Sequence, residues 1–96
     1  MSDKSRMIAG EATPKHSEAI GRVVYSKAGR DKKRVFLIVG LNEDGTVDIA
    51  DGKLRKLAKP KRKNLAHLDI RETQFSIEGF DDAAIRELLR SYEMAR

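Results

Sequence analysis

Gly21–Val39, reading GRVVYSKAGRDKKRVFLIV, decides the fold. Two apolar runs rich in β-branched residues, Val23-Val24-Tyr25 and Val35-Phe36-Leu37-Ile38-Val39, flank a basic segment that contains Gly29. Runs of this length and composition predict strands, and the glycine-containing stretch between them predicts a hairpin loop. That loop, Lys27 to Arg34, carries five cations (Lys27, Arg30, Lys32, Lys33 and Arg34) and one carboxylate, Asp31. A β-scaffold holding out such a loop is a device for gripping a phosphate backbone.

Downstream, the second run lacks polar alternation, which places it centrally in a closed sheet or under cover on both faces. Gly40 ends it, and Leu41–Gly45 supplies a turn. Thr46–Ala50 alternates, with Val47 and Ile49 inward and Asp48 outward. Asp51-Gly52 is a strong hairpin signal, so Lys53–Leu57 is expected to be the return strand. Ala58–Lys63 then reads as a basic connector in which Pro60 blocks ladder pairing. Asn64–Ile70 offers a short final strand or a 3₁₀ turn. Five short strands joined by tight turns predict a mainly β fold, a small five-stranded barrel that removes exposed sheet edges.

Residues 1–18 are polar and aperiodic and read as a flexible N-terminal tail. The last segment, 72–96, reads as a linker and an amphipathic helix. Ile85, Leu88, Leu89 and Tyr92 recur at i, i+3, i+4 and i+7, the stripe of a helix with one apolar face. Asp81 is the expected N-cap, Asp82 suits the positive end of the helix dipole, and Phe80 is placed to staple to Ile85. The stripe is suited to docking on the barrel, to self-association, or to binding a protein partner.

Ninety-six residues allow one small core, here 19–71, built from Val, Ile and Leu because aromatics are few and Trp is absent. No apolar run nears the roughly 20 residues that cross a bilayer, so no membrane is expected. The N-terminus lacks the apolar segment of a secretory signal, and the lack of cysteine excludes disulfides and fits a reducing compartment. The expected location is the cytoplasm. The net charge of +5 is uneven: residues 20–71 hold fourteen basic and six acidic residues, and 72–96 hold three basic and six acidic. A basic centre with an acidic end points to a polyanion for the centre.

No catalytic constellation, cofactor motif or small-molecule site stands out. His16 and His67 lack ligand-spaced neighbours, which argues against a metal, and Asp81-Asp82 is explained by the helix start. The informative features are the two basic stretches. The second comprises Lys53, Arg55, Lys56, Lys59, Lys61, Arg62 and Lys63, with no acidic residue between them. Cations set against phosphates displace counterions, and Arg30, Arg34, Arg55 and Arg62 add bidentate and stacking geometry. Gly29 lets the first loop's backbone approach a sugar or phosphate closely. Tyr25, beside Val24, reads as core, with base stacking as its alternative role.

These residues resemble the KOW-domain RNA-binding proteins of bacteria, small relatives of the archaeal and eukaryotic large-subunit ribosomal proteins of the 14e type. The resemblance spans Ile20 to Ile70 and rests on five features. They are Gly21-Arg22-Val23, Gly29 with its basic loop, the strand Val35–Val39, the phrase Ile49-Ala50-Asp51-Gly52, and the basic run before Leu65 and Leu68. It implies an SH3-like barrel, binding to ribosomal or other structured RNA, a possible place on the ribosome, and no enzymatic activity. The chain departs from the broader KOW pattern, which tends to place glycines where Lys33 and Phe36 stand. The second reading is a protein-interaction module of the translation or transcription machinery that uses the barrel and the C-terminal helix.

Overall fold

The central strands of this protein are buried on both faces, and a single helix covers one of them. The computed structural model describes residues 18–27, 29 and 32–95. In chain order these form β1 (Arg22–Ser26), β2 (Val35–Leu41), β3 (Val47–Ala50), β4 (Lys61–Lys63), a 3₁₀ turn (Leu65–His67), β5 (Leu68–Gln74) and α1 (Asp82–Ala95). The strands make one antiparallel sheet in the order β4-β3-β2-β1-β5. The mainly β fold with five strands and a C-terminal helix is therefore as expected. The ladder order is open, with β4 and β5 at its two edges. Most of the expected N-terminal tail, residues 1–17, lies outside the described residues.

The two faces of the sheet are buried in different ways. Val24, Phe36, Ile38, Val47 and Ile49 are fully buried on one face, joined by Leu68 from β5. Among the described residues, only Ala19 and Leu65 reach this cluster from outside the strands. The pairing is irregular at two places: between Arg22 and Val24 against β5, and between Ile38 and Gly40 against β3. The second inserts Val39 as an extra residue on β2. It resets the in-out alternation so that Leu41, opposite Val47, packs with the same core as Ile38.

The other face presents Val23, Tyr25 and Leu37, and α1 covers it with Ile85 and Leu89. Of the three roles open to the helical stripe, the structure takes docking. Ile85 is completely buried and Leu89 nearly so, while Leu88 and Tyr92 pack at the margin and Phe75 meets Tyr92 edge-on. Of the four residues expected to bind a partner, Ile85 and Leu89 are thus used within the fold, and Leu88 and Tyr92 stay half-buried at its margin. The helix start is as read. The Asp81 carboxylate accepts a 2.8 Å hydrogen bond from the Ala84 N–H, and the Asp81 carbonyl accepts the Ile85 N–H.

β2 runs on through Gly40, its expected end, to Leu41, which pairs with Val47 instead of opening the turn, and one strand is misplaced. The return strand of the second hairpin is Lys61–Lys63, paired with β3 as Ile49↔Lys61, Asp48↔Arg62 and Val47↔Lys63. Lys53–Leu57 forms no strand. The cause is the Asp51 carboxylate, which accepts 2.9 Å hydrogen bonds from the N–H groups of Lys53 and Arg55 and folds the chain back on itself. Pro60 then precedes β4, where its missing N–H costs no ladder bond. The segment 64–70 supplies both elements that had been weighed against each other, the 3₁₀ turn and the strand. That strand extends to Gln74, across the expected boundary at Arg71.

Gly52 is the closest approach of this loop to the helix. Its φ is +76°, and a Cβ there would overlap the Asp82 carbonyl oxygen and lie 3.0 Å from the Arg86 nitrogen. Gly45 has a similar φ but open space around it. Gly52→Ala is therefore expected to destabilise the fold by at least about 2 kcal/mol, against about 1 kcal/mol for Gly45→Ala. Urea denaturation of the two variants reads the difference. Leu89→Ala is expected to cost about 2–5 kcal/mol by the same measurement.

Candidate nucleic-acid interface

The first basic loop springs from the last β1–β2 pair, Tyr25↔Val35. Ser26 accepts the Lys33 N–H at 2.8 Å and donates its own N–H to the Arg34 carbonyl at 3.1 Å, which closes the base of the loop. Lys27 donates its N–H to the His67 carbonyl at 3.0 Å, so the loop is also tied to the turn before β5. Lys27, Lys32, Lys33 and Arg34 all project from this base and are exposed. Gly29 is exposed too, at φ +79° in open space. Arg30 lies outside the described residues.

Lys33 is the one described non-glycine residue with positive φ, at 70°. This is the first position at which the chain departs from the KOW glycine pattern, and the backbone there keeps a conformation that suits glycine. A β-carbon in this region costs on the order of 1 kcal/mol. Such strain is characteristic of positions where the side chain does something glycine cannot.

The second basic stretch is held from outside by the helix. The Leu57 N–H donates to the Asp82 carboxylate at 2.8 Å, and the Arg86 guanidinium donates to the Gly52 carbonyl at 3.0 Å. The acidic pair at the helix start thus has two structural tasks, Asp81 capping the helix and Asp82 anchoring the loop.

The cations line three open clefts. A cleft of about 800 Å³ runs between the loops and α1 and gathers Lys33, Arg34 and Lys53 with Arg86 and Arg90. Its acidic residues are already engaged in part. Asp51 caps its own turn, and Glu87 pairs with Arg90 at 2.8 Å. That hydrogen bond and the Arg90 charge hold the Glu87 carboxyl below the usual carboxylate range and raise Arg90 in turn. A second cleft of about 660 Å³ is lined by Arg55, Lys56, Lys59, Lys61 and Arg62 with no carboxylate. A third, of about 500 Å³, lies among Tyr25, Lys27, Lys32, Lys33, Asp69 and Arg71. Lys33 borders both the first and the third.

Lys53 therefore joins the first loop, whereas Lys56 to Arg62 form a separate groove, and Lys63 lies further along β4 opposite Val47. Lys27, Lys32, Lys33, Arg34, Lys53, Lys56, Lys59, Arg62 and Lys63 make no ion pair with any described residue. Arg62 has an acidic turn in its neighbourhood. Asp44 is held below its ordinary pKa chiefly by hydrogen bonds from the Thr46 hydroxyl and N–H, with a smaller contribution from the Arg62 charge.

Three cations at these clefts are not among the residues singled out from the sequence. Arg86 and Arg90, an i, i+4 pair in the acidic segment, are brought to the first cleft by helix docking. Arg71 reaches the third because β5 pairs with β1, setting Asp69 opposite Tyr25. Its guanidinium carbon then lies over the Tyr25 ring, 4.7 Å from the centroid. Tyr25 itself is core, 9% exposed.

No protein-family model and no curated protein matches this chain. The fold and the clefts define a small mainly β protein with a cationic surface, and the likeness to KOW-type proteins rests on the residues quoted for it.

Lys33→Gly separates stability from binding. The variant is expected to gain about 1 kcal/mol in chemical denaturation through relief of the positive φ. At the same time it should bind a polyanion such as heparin more weakly than the wild type on a salt-gradient column. Equal stability would mean that the loop relaxes Lys33 without strain.

Proposed function

We propose that the chain is a non-catalytic RNA-binding protein of the KOW type, taking ribosomal or other structured RNA on the clefts beside its two basic loops. The observation that carries this reading is the set of nine cations that make no ion pair with any described residue, held on a scaffold that fixes both loops. Charges left unpaired in this way repel one another, and an external polyanion is the partner that relieves them. The clefts offer phosphate contacts in depth and little base-edge chemistry, so recognition would follow RNA shape more than sequence. Residence in the cytoplasm and association with ribosomes belong to the same proposal. No helix among the described residues is long and apolar enough to cross a membrane.

A second reading, a protein-interaction module of the translation or transcription machinery, draws on one feature. An apolar groove of about 610 Å³ is lined by Ile20, Val39, Leu57, Phe75, Ile77 and Phe80, and Ile20 is 37% exposed there. Ile20→Glu distinguishes the readings, since it would abolish capture of a protein partner and leave RNA affinity unchanged.

The primary test is affinity for a structured RNA across a salt series. If about six cations contact phosphates, log K should fall against log[salt] with a slope of about −4 to −5. Arg34→Glu combined with Arg62→Glu should weaken binding at low salt at least tenfold with no change in melting temperature. A flat salt response, or unaltered affinity in the double variant, would set the proposed surface aside.

A further inference from the structure

We propose that Arg71, laid over Tyr25, is a stacking platform for one unpaired nucleobase, with Lys27, Lys32 and Lys33 taking the phosphates on either side. The inference rests on the RNA-binding reading and adds to it a preference for unpaired nucleotides at one of the three clefts.

Tyr25 cannot serve as the platform itself. Its ring belongs to the core and is 9% exposed, and Arg71 covers the face that would meet a base. Arg71 itself lines the cleft, on a side chain that is 41% exposed. A guanidinium plane stacks on aromatic rings from either side, so a base laid on Arg71 completes a layer of ring, guanidinium and base.

Arg71 is also held in place before any ligand arrives. The ring lies beneath it, and Asp69, two residues earlier on the same strand, holds its Nη2 at 3.2 Å. The Arg71 carbonyl accepts a 2.9 Å hydrogen bond from Arg22, which fixes the strand at that point. An arginine free in solvent loses side-chain freedom when it stacks; here most of that loss has already been taken at folding.

The choice of a base over a phosphate follows from Asp69. Its carboxylate, about half exposed, stands at the same cleft and offsets the Arg71 charge. A phosphate at Arg71 would meet that carboxylate, whereas a neutral base would not. Lys27, Lys32 and Lys33 pair with no described carboxylate and are available to the backbone. The cleft, about 500 Å³, falls in the range of about 300–1,000 Å³ typical of sites that enclose small ligands.

The test uses the full chain carrying Tyr92→Phe, so that Tyr25 is the one tyrosine and, with no Trp present, the reporter of emission. It is titrated at low salt with an eight-nucleotide oligoadenylate, with an abasic oligomer of the same length and charge, and with a blunt RNA duplex. The oligoadenylate should bind about five- to 150-fold more tightly than the abasic oligomer, the range expected for one stacked base. It alone should change Tyr25 emission. Arg71→Lys, which keeps the charge and removes the plane, should lower oligoadenylate affinity to the abasic level and leave duplex affinity unaltered. Equal affinity of the wild type for the two single strands overturns the platform and leaves RNA binding standing. The same holds for oligoadenylate binding that Arg71→Lys does not weaken. Failure of all three RNAs to bind overturns the platform together with the RNA-binding reading beneath it.

Discussion

The packing of α1 against β1 and β2 is the interaction on which the rest of this protein depends. Val23, Tyr25 and Leu37 lie on the face opposite the Val24, Phe36 and Ile38 core and need a partner of their own. Ile85 and Leu89 supply it, and burying two such side chains is worth on the order of 3–6 kcal/mol, a large share of the stability of a small domain. The docked helix then does a second thing. Asp82 takes the Leu57 N–H and Arg86 takes the Gly52 carbonyl, so the cation-rich segment between β3 and β4 is pinned by contacts from about 25 to 34 residues away. A segment with so many like charges gains little from its own interactions. Its order comes from the helix.

This arrangement explains which parts of the fold were legible in the sequence. Strands β1, β2 and β3 and the helix follow from apolar spacing, and the helix cap from one aspartate, because each of these signals is local. β4 was misread because Asp51-Gly52 carries the signature of a two-residue hairpin. Whether that aspartate starts a hairpin or closes a turn depends on where its carboxylate goes, and here it goes to Lys53 and Arg55. β5 was read short because its residues beyond Ile70 are polar and suited to an edge strand, Leu68 being its one buried residue.

The candidate interface was legible to a similar degree and for similar reasons. Runs of lysine and arginine identify loop cations without any knowledge of the fold. Arg71, Arg86 and Arg90 carry no such mark, since strand pairing and helix docking place them, and neither is visible from spacing alone. Lys33 shows a different gap. It stands where the resemblance would place a glycine, and its backbone has the positive φ that glycine favours, which a lysine in a basic run gives no sign of.

The central proposal is that the first loop, closed on Ser26 and His67, and the second, held by α1, both face RNA, with Lys33, Arg34 and Lys53 between them. Amide shift mapping by NMR during titration with a structured RNA hairpin tests it most directly. The account predicts perturbations at Lys27, Lys32 to Arg34, Lys53 and Lys56 to Arg62, with the Glu43–Asp44 turn unchanged. Perturbations centred on Ile20, Phe75 and Phe80, with the basic loops silent, would contradict it.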